Sequence, residues 1–168
     1  MNVREAVAAD YKGIAKVHVD SWRTTYQGIV PDQYLNQLSY AQREEVWKNN
    51  LANGKVWVAE DSNGQIVGFA NGGPERSGDY PDYQGEIYAI YILEEYHGNG
   101  LGKQLVKQVV NELKQQDMST MLVLVLKDNP ASQFYQALGA ELIDTLEIEI
   151  ASKKLYEDVY AWNQLPQL

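Results

Sequence analysis

The 168-residue chain contains no cysteine. Disulfides, thiolate metal ligands, thiol nucleophiles and thiol redox chemistry are therefore excluded together. Histidine is nearly as scarce: His18 and His97 are the only two, too few for a histidine-built metal cage and a poor supply for a Ser/His/Asp set. Positive charge is also short. The chain carries 14 Lys and Arg against 23 Asp and Glu, a net charge of −9, and no local basic patch offsets it, so nucleic acid is not an expected partner. The longest apolar run without a tyrosine, residues 121–126, has six residues, far below the roughly 20 of a membrane-spanning helix. Met1-Asn2-Val3-Arg4-Glu5 lacks the charged-then-apolar order of a secretory signal. The expectation is a cytoplasmic protein with no membrane partner.

Hydrophobic residues make up 45% and charged residues 22%, which argues for a globular core and against disorder. The length corresponds to about one domain, and no Pro/Gly/Ser-rich linker or repeat divides it, so residues 1–168 read as a single domain. Residues 3–6 read as a short strand. Asp10 is expected to cap a helix whose apolar face is Tyr11, Ile14, Ala15, His18 and Trp22. A second helical stretch runs over about 31–53 with a break near Ser39. Residues 55–60 and 65–70 read as strands joined by Asp61-Ser62-Asn63-Gly64, where Asn-Gly predicts a type I′ turn with two positive φ angles.

Residues 72–85 are loop by composition. Residues 87–93 and 121–126 are apolar at nearly every position and predict strands buried on both faces. Between them a helix starts near Gly102, with Leu101, Leu105, Val109 and Leu113 as its stripe and Lys103, Lys107 and Lys114 away from it. Residues 130–138 predict a short helix stopped by a left-handed Gly139. Two more strands, 141–150 and 155–162, close the chain. The pattern is α/β, a mixed sheet of about seven strands with helices packed on it.

His97-Gly98-Asn99-Gly100-Leu101-Gly102 lies between a strand and a helix. The first turn of a helix leaves about four N–H groups unpartnered at the positive end of its dipole, and glycines ahead of it let an anion reach the backbone. Two phosphate fingerprints fail here. A G-x-G-x-x-G count puts Lys103 or Leu105 at the third glycine, and a Walker count puts His97 at the first glycine and Gln104 at the Ser/Thr. A nucleotide module is therefore disfavoured, and a glycine turn without a ligand stays open.

The same loop resembles the pyrophosphate motif Q/R-x-x-G-x-G/A of the GNAT superfamily of acyl-CoA-dependent N-acetyltransferases, with His97 in place of Gln or Arg. The segment Asn129-Pro130-Ala131-Ser132-Gln133-Phe134-Tyr135-Gln136-Ala137-Leu138-Gly139-Ala140 is similar to that superfamily's N-P-S/A-x-x-F-Y-x-x-L-G-G/A. Val3-Arg4-Glu5-Ala6 with Asp10, and Ser21-Trp22-Arg23 through Tyr26, Gly28, Pro31 and Leu35, also look like bacterial members. The likeness spans essentially the whole chain. It implies a GNAT-type fold with a mostly antiparallel central sheet, acetyl-CoA as co-substrate and no metal. The acetyl group would pass directly to a primary amine of a small molecule or peptide. An acyl-CoA-binding sensor or structural module without useful turnover stays open as the rival, because of His97. Exposed aromatics among 12 Tyr and four Trp would allow a homodimer.

The resemblance implies roles residue by residue. His97, Gly98, Asn99, Gly100, Leu101, Gly102 and Lys103 would surround the CoA pyrophosphate, chiefly through backbone N–H groups; Lys103 also fits a solvated helix face. The strand at 87–93 would splay from that at 121–126 and admit pantetheine as an extra strand. Ile90, Ile92 and Leu93 would offer backbone partners there, and an amide near Ile92 would polarise the thioester carbonyl. Asn129 and Ser132 would contact the cofactor, Asn129 also fitting a helix cap. Tyr135 would protonate the departing thiolate, although a Tyr beside Phe134 fits a core as well. Glu86 would act as a base through water on the acceptor ammonium, or be a solvated strand end. Residues 75–95 hold six acids against Arg76 alone, a solvated loop or a field that favours a cationic amine. Trp22 and Tyr26 would form the acceptor wall, with His18 equally suited to the core.

Overall fold

The computed structural model describes residues 1–168. In chain order it contains β1 (Asn2–Glu5), α1 (Tyr11–Thr25), α2 (Asp32–Gln37), α3 (Tyr40–Asn53), β2 (Val56–Glu60), β3 (Ile66–Pro74), β4 (Gly85–Ile92), α4 (Leu101–Gln115), β5 (Met121–Leu126), α5 (Ala131–Ala137), β6 (Glu141–Ile150) and β7 (Lys153–Trp162). The seven strands form one sheet in the order β1-β2-β3-β4-β5-β7-β6. Every junction is antiparallel except β4–β5. No helix is long and apolar enough to cross a membrane.

The helices take both faces of the sheet. On β3, Phe69 packs against His18 of α1 and Trp47 of α3, with ring centroids 5.9 and 4.8 Å away. The adjacent Gly68 faces the other way: a Cβ there would lie 3.5 Å from Leu105 of α4. So α1 and α3 cover one face and α4 the other. The α4 stripe is buried as its periodicity predicts, with Val106 and Val110 joining Leu101, Leu105, Val109 and Leu113. Burying each such side chain contributes about 1.5–3 kcal/mol before entropy is charged against it.

β4 is the strand that departs from expectation. It pairs with β5 only through Gly85–Ile87 against Met121–Val123, and the two then diverge. Gly85, Glu86 and Ile87 are buried, whereas the five residues beyond are only partly so. The apolar run at 88–92 therefore lines an opening instead of filling a core. β5 is buried at every position but Leu124, and it pairs with β7 along its whole length, Met121 to Leu126.

Three local expectations need correction. Asp10 forms no side-chain cap on α1; its carboxylate accepts the Val7 N–H at 2.8 Å and both terminal nitrogens of Arg4, at 2.8 and 3.1 Å, tying the 3₁₀ turn to β1. In the turn at 61–64 only Gly64 has a positive φ, 78°. There the Asp61 side chain accepts the N–H groups of Asn63 and Gln65, each at 2.9 Å, so one left-handed residue closes the turn in place of a type I′ pair. Gly72, Gly73 and Pro74 are strand, not loop: after a bulge they pair with Ile87, Glu86 and Gly85. A Cβ on Gly72 would meet the Glu86 carbonyl oxygen and Val109 Cγ1, both at 2.6 Å, so this glycine marks close backbone approach.

Candidate active site

The divergence of β4 from β5 leaves a cavity of about 530 Å³ that runs from the start of α4 to Asn129 and Tyr135. At its outer end Gly98 and Gly100 have φ of 81° and 77°. A Cβ on either would point into open space, so backbone conformation, not crowding, requires glycine there. The first helical hydrogen bond of α4 runs from the Gln104 N–H to the Gly100 carbonyl at 3.2 Å, which leaves the N–H groups of Leu101, Gly102 and Lys103 without acceptors. Donors converging at a helix start suit an anion. A Cβ on Gly102 would sit 3.1 Å from Phe134 Cζ, so glycine here lets α5 approach the loop.

Deeper in, the Leu93 N–H bonds to the Val67 carbonyl at 2.9 Å. Strand alternation then turns the N–H and C=O groups of Ile92 and Ile90 away from β3, toward the opening. His97 Nε2 lies 2.8 Å from the Ile92 carbonyl oxygen. A carbonyl only accepts, so the ring carries its proton on Nε2 and donates it. Tyr135 is 4% exposed, yet no protein group accepts its hydroxyl. Burial, and then the neighbouring Tyr26, push the phenol well above its ordinary value.

A second cavity, about 330 Å³, shares Tyr26, Ile87, Tyr88, Tyr91, Leu124 and Val125 with the first. Trp22, Arg76, Glu86, Leu126, Ile148, Ile150 and Glu157 complete it. Glu86 is 3% exposed and held by one partner: its Oε1 accepts from the Arg76 backbone N–H and Nε at 3.1 and 3.3 Å, and its Oε2 from Arg76 Nη2 at 2.7 Å. The Arg76 guanidinium lies over the Tyr88 ring, 4.1 Å from its centroid. Trp22 Nε1 donates to the Tyr91 hydroxyl, and Asn129 Nδ2 to the Tyr26 hydroxyl, each at 3.1 Å.

The sequence family described as Acetyltransferase (GNAT) family matches residues 18–140. YuaI of Bacillus subtilis (strain 168), described as an uncharacterized N-acetyltransferase, is 45% identical over 168 residues, covering 100% of this chain and 96% of its own. The chain belongs to the acetyltransferase (GNAT) family. Its enzyme class is N-acetyltransferase. Among other relatives, the L-amino acid N-acyltransferase MnaT of Escherichia coli (strain K12) is 29% identical over 142 residues, 83% of this chain and 78% of MnaT. The fold matches a GNAT superfamily phosphinothricin acetyltransferase of Sinorhizobium meliloti, solved in complex with acetyl-CoA, with a TM-score of 0.74 at 24% identity over 98% of this chain and 88% of that one.

In this GNAT chain, Ile92, His97, Gly98, Gly100, Leu101, Gly102, Lys103, Asn129 and Tyr135 all line the first cavity. Leu93, Asn99 and Ser132 stand outside its wall. The Leu93 N–H is used by Val67, and the Asn99 amide braces the loop by donating to the Tyr96 carbonyl at 3.1 Å. Asn129 caps α5, its Oδ1 accepting the Ala131 N–H at 2.9 Å. Trp22 lines the second cavity and Tyr26 lines both. Glu86 is not a solvated strand end, because β3 and Arg76 close over it. His18 lies in neither cavity: its Nδ1 accepts from Trp47 Nε1 at 3.0 Å and its ring stacks on Tyr91. Burial, and then Arg43, lower its pKa to about 4.

Sequence reasoning did not single out Tyr88, Tyr91 or Glu157. Tyr88 and Tyr91 look like any members of an apolar strand until β4 leaves β5. Glu157 is one acid among many on two long strands, and only register places it in the cavity.

Proposed function

We propose that this enzyme transfers the acetyl group of acetyl-CoA to a primary amine of a small molecule, the thioester in the first cavity and the amine entering from the second. The observation that carries this reading is the meeting of the two cavities at Tyr26, Tyr88 and Tyr91, beside Tyr135. The residues present fit acetyl-CoA: free N–H groups at a helix start for the pyrophosphate, and an unpaired stretch of β4 edge for the pantetheine amides.

Acetyl-CoA supplies an electrophilic thioester carbonyl and a thiol leaving group. The chain does the rest. An amide near Ile92, fixed by the sheet, stabilises negative charge on the carbonyl oxygen without reorganising. The Tyr135 hydroxyl, protonated at any physiological pH and free of protein acceptors, gives its proton to the departing sulfur. Glu86 accepts the ammonium proton through water while Arg76 holds it in place. The His97 ring occupies the Ile92 carbonyl, so the groups of this β4 edge left free for pantetheine are the Ile92 N–H and the Ile90 N–H and carbonyl.

Thermal denaturation tests the cofactor side. A ligand that binds only the folded state adds about 2.7 kcal/mol at 100 times its Kd. Acetyl-CoA should raise Tm, and NAD or ATP at equal concentration should do much less. Equal shifts from all three would overturn the assignment.

A further inference from the structure

Glu157 is the one carboxylate of the second cavity that has no hydrogen-bond or ion-pair partner. It sits half-buried on β7, in register with Leu126 of β5 and Leu146 of β6. Its surroundings are apolar: Leu126 and Leu155 belong to a cluster on which Trp22, Ile148 and Ile150 pack. A carboxylate in such a place is unfavourable unless a cation joins it. Burial, and then the charge of Glu86, hold its carboxyl above the ordinary range.

The protein does not supply that cation. Arg76 is the only basic residue of the cavity; its Nε and Nη2 are engaged by Glu86 and its plane by Tyr88. One arginine against two glutamates leaves the lining with one negative charge in excess. Trp22, Tyr26 and Tyr91 add aromatic faces, which attract an ammonium group further.

We propose that Glu157 binds the ammonium group of the acceptor, and that this acceptor is a monoamine on an apolar body with no carboxylate beside the amine. This rests on the reading of the second cavity as the acceptor site. A carboxylate next to the amine would face Glu86 and Glu157 together. Arg76 could meet it only through Nη1, because its Nε and Nη2 are held by Glu86, and breaking that pair would leave Glu86 buried and uncompensated.

The matched pair 2-phenylethylamine and L-phenylalanine, which differ only in the α-carboxylate, tests this. Their binding to the CoA-saturated protein is measured by calorimetry, with thiol release from acetyl-CoA followed in parallel. Wild type should bind 2-phenylethylamine at least about tenfold more tightly than L-phenylalanine. Glu157→Gln should weaken 2-phenylethylamine binding about 10- to 100-fold, the range for losing a hydrogen bond to a charged group, while CoA affinity stays within about twofold. Glu157→Asp, which keeps the charge, should recover most of the affinity. Unchanged amine binding in Glu157→Gln, tighter binding of L-phenylalanine, or no binding of 2-phenylethylamine by wild type would each overturn the proposal. Amine binding lost in Glu157→Gln, but with no thiol release from wild type, would support the Glu157 assignment and overturn the transferase reading instead.

Discussion

Replacing Tyr135 by Phe removes one hydroxyl and nothing else, and the structure says what that should change. The hydroxyl has no protein acceptor, so its loss breaks no protein hydrogen bond and leaves no orphaned partner. Stability should stay within about 0.5 kcal/mol of wild type. The ring contacts with Phe134 and Trp162, at 5.5 and 6.1 Å between centroids, remain. If the hydroxyl protonates the leaving sulfur, kcat should fall by about 100-fold, the low end of general acid catalysis, because a CoA thiol leaves tolerably near neutral pH. That is about 2.7 kcal/mol on the barrier. Because burial holds the phenol above its ordinary value, it stays protonated between about pH 6 and 9, and the deficit should be the same at both ends. Single-turnover thiol release gives the chemical step, and calorimetry gives the CoA affinity, which should be unchanged. A chemical step within about twofold of wild type would return Tyr135 to a packing role, and a parallel loss of CoA affinity would make it a binding residue.

Gly100→Val should lower Tm modestly, since a left-handed φ of 77° strains a β-branched residue, and should weaken CoA binding more than the Tm change explains; unchanged affinity in folded protein would make the loop a mere turn. His18 predicts a pH dependence of stability. Its folded pKa of about 4 lies below the unfolded value of 6.5, so its contribution is intact above 6.5 and is lost as pH falls toward 4. Between pH 7 and 5 it accounts for about 2 kcal/mol, and urea unfolding at both pH values should show His18→Gln losing less by that amount; equal losses would refute it. Glu86→Gln should slow acetylation chiefly at low pH, a deficit that shrinks as the amine deprotonates unaided. If Glu86 serves only to anchor Arg76, Tm should fall while the pH–rate profile of kcat superimposes on wild type.

The sequence made the glycine loop and the residues 129–140 legible because both are local backbone patterns, a left-handed entry into α4 and a capped turn into α5. The two-sided burial predicted for residues 88–92 was not realised, since composition cannot show that β4 and β5 part after Ile87. Gly72 looked like loop for the same kind of reason: its neighbours there are Val109 and Glu86, far along the chain. The Arg76–Glu86 pair spans ten residues across the connection between β3 and β4. Glu157 was hidden most completely. Its meaning depends on a register with Leu126 and on Arg76 being engaged elsewhere, and neither leaves a trace in spacing.

The central claim is that an acetyl group held between β4 and β5 passes to an amine. The most direct measurement follows thiol release from acetyl-CoA with a panel of primary amines, while mass spectrometry counts the products. The account predicts amine-dependent release, with one N-acetylated amine for each CoA thiol. Tight acetyl-CoA binding with no amine-dependent release across the panel would contradict it and leave a CoA-binding module without turnover.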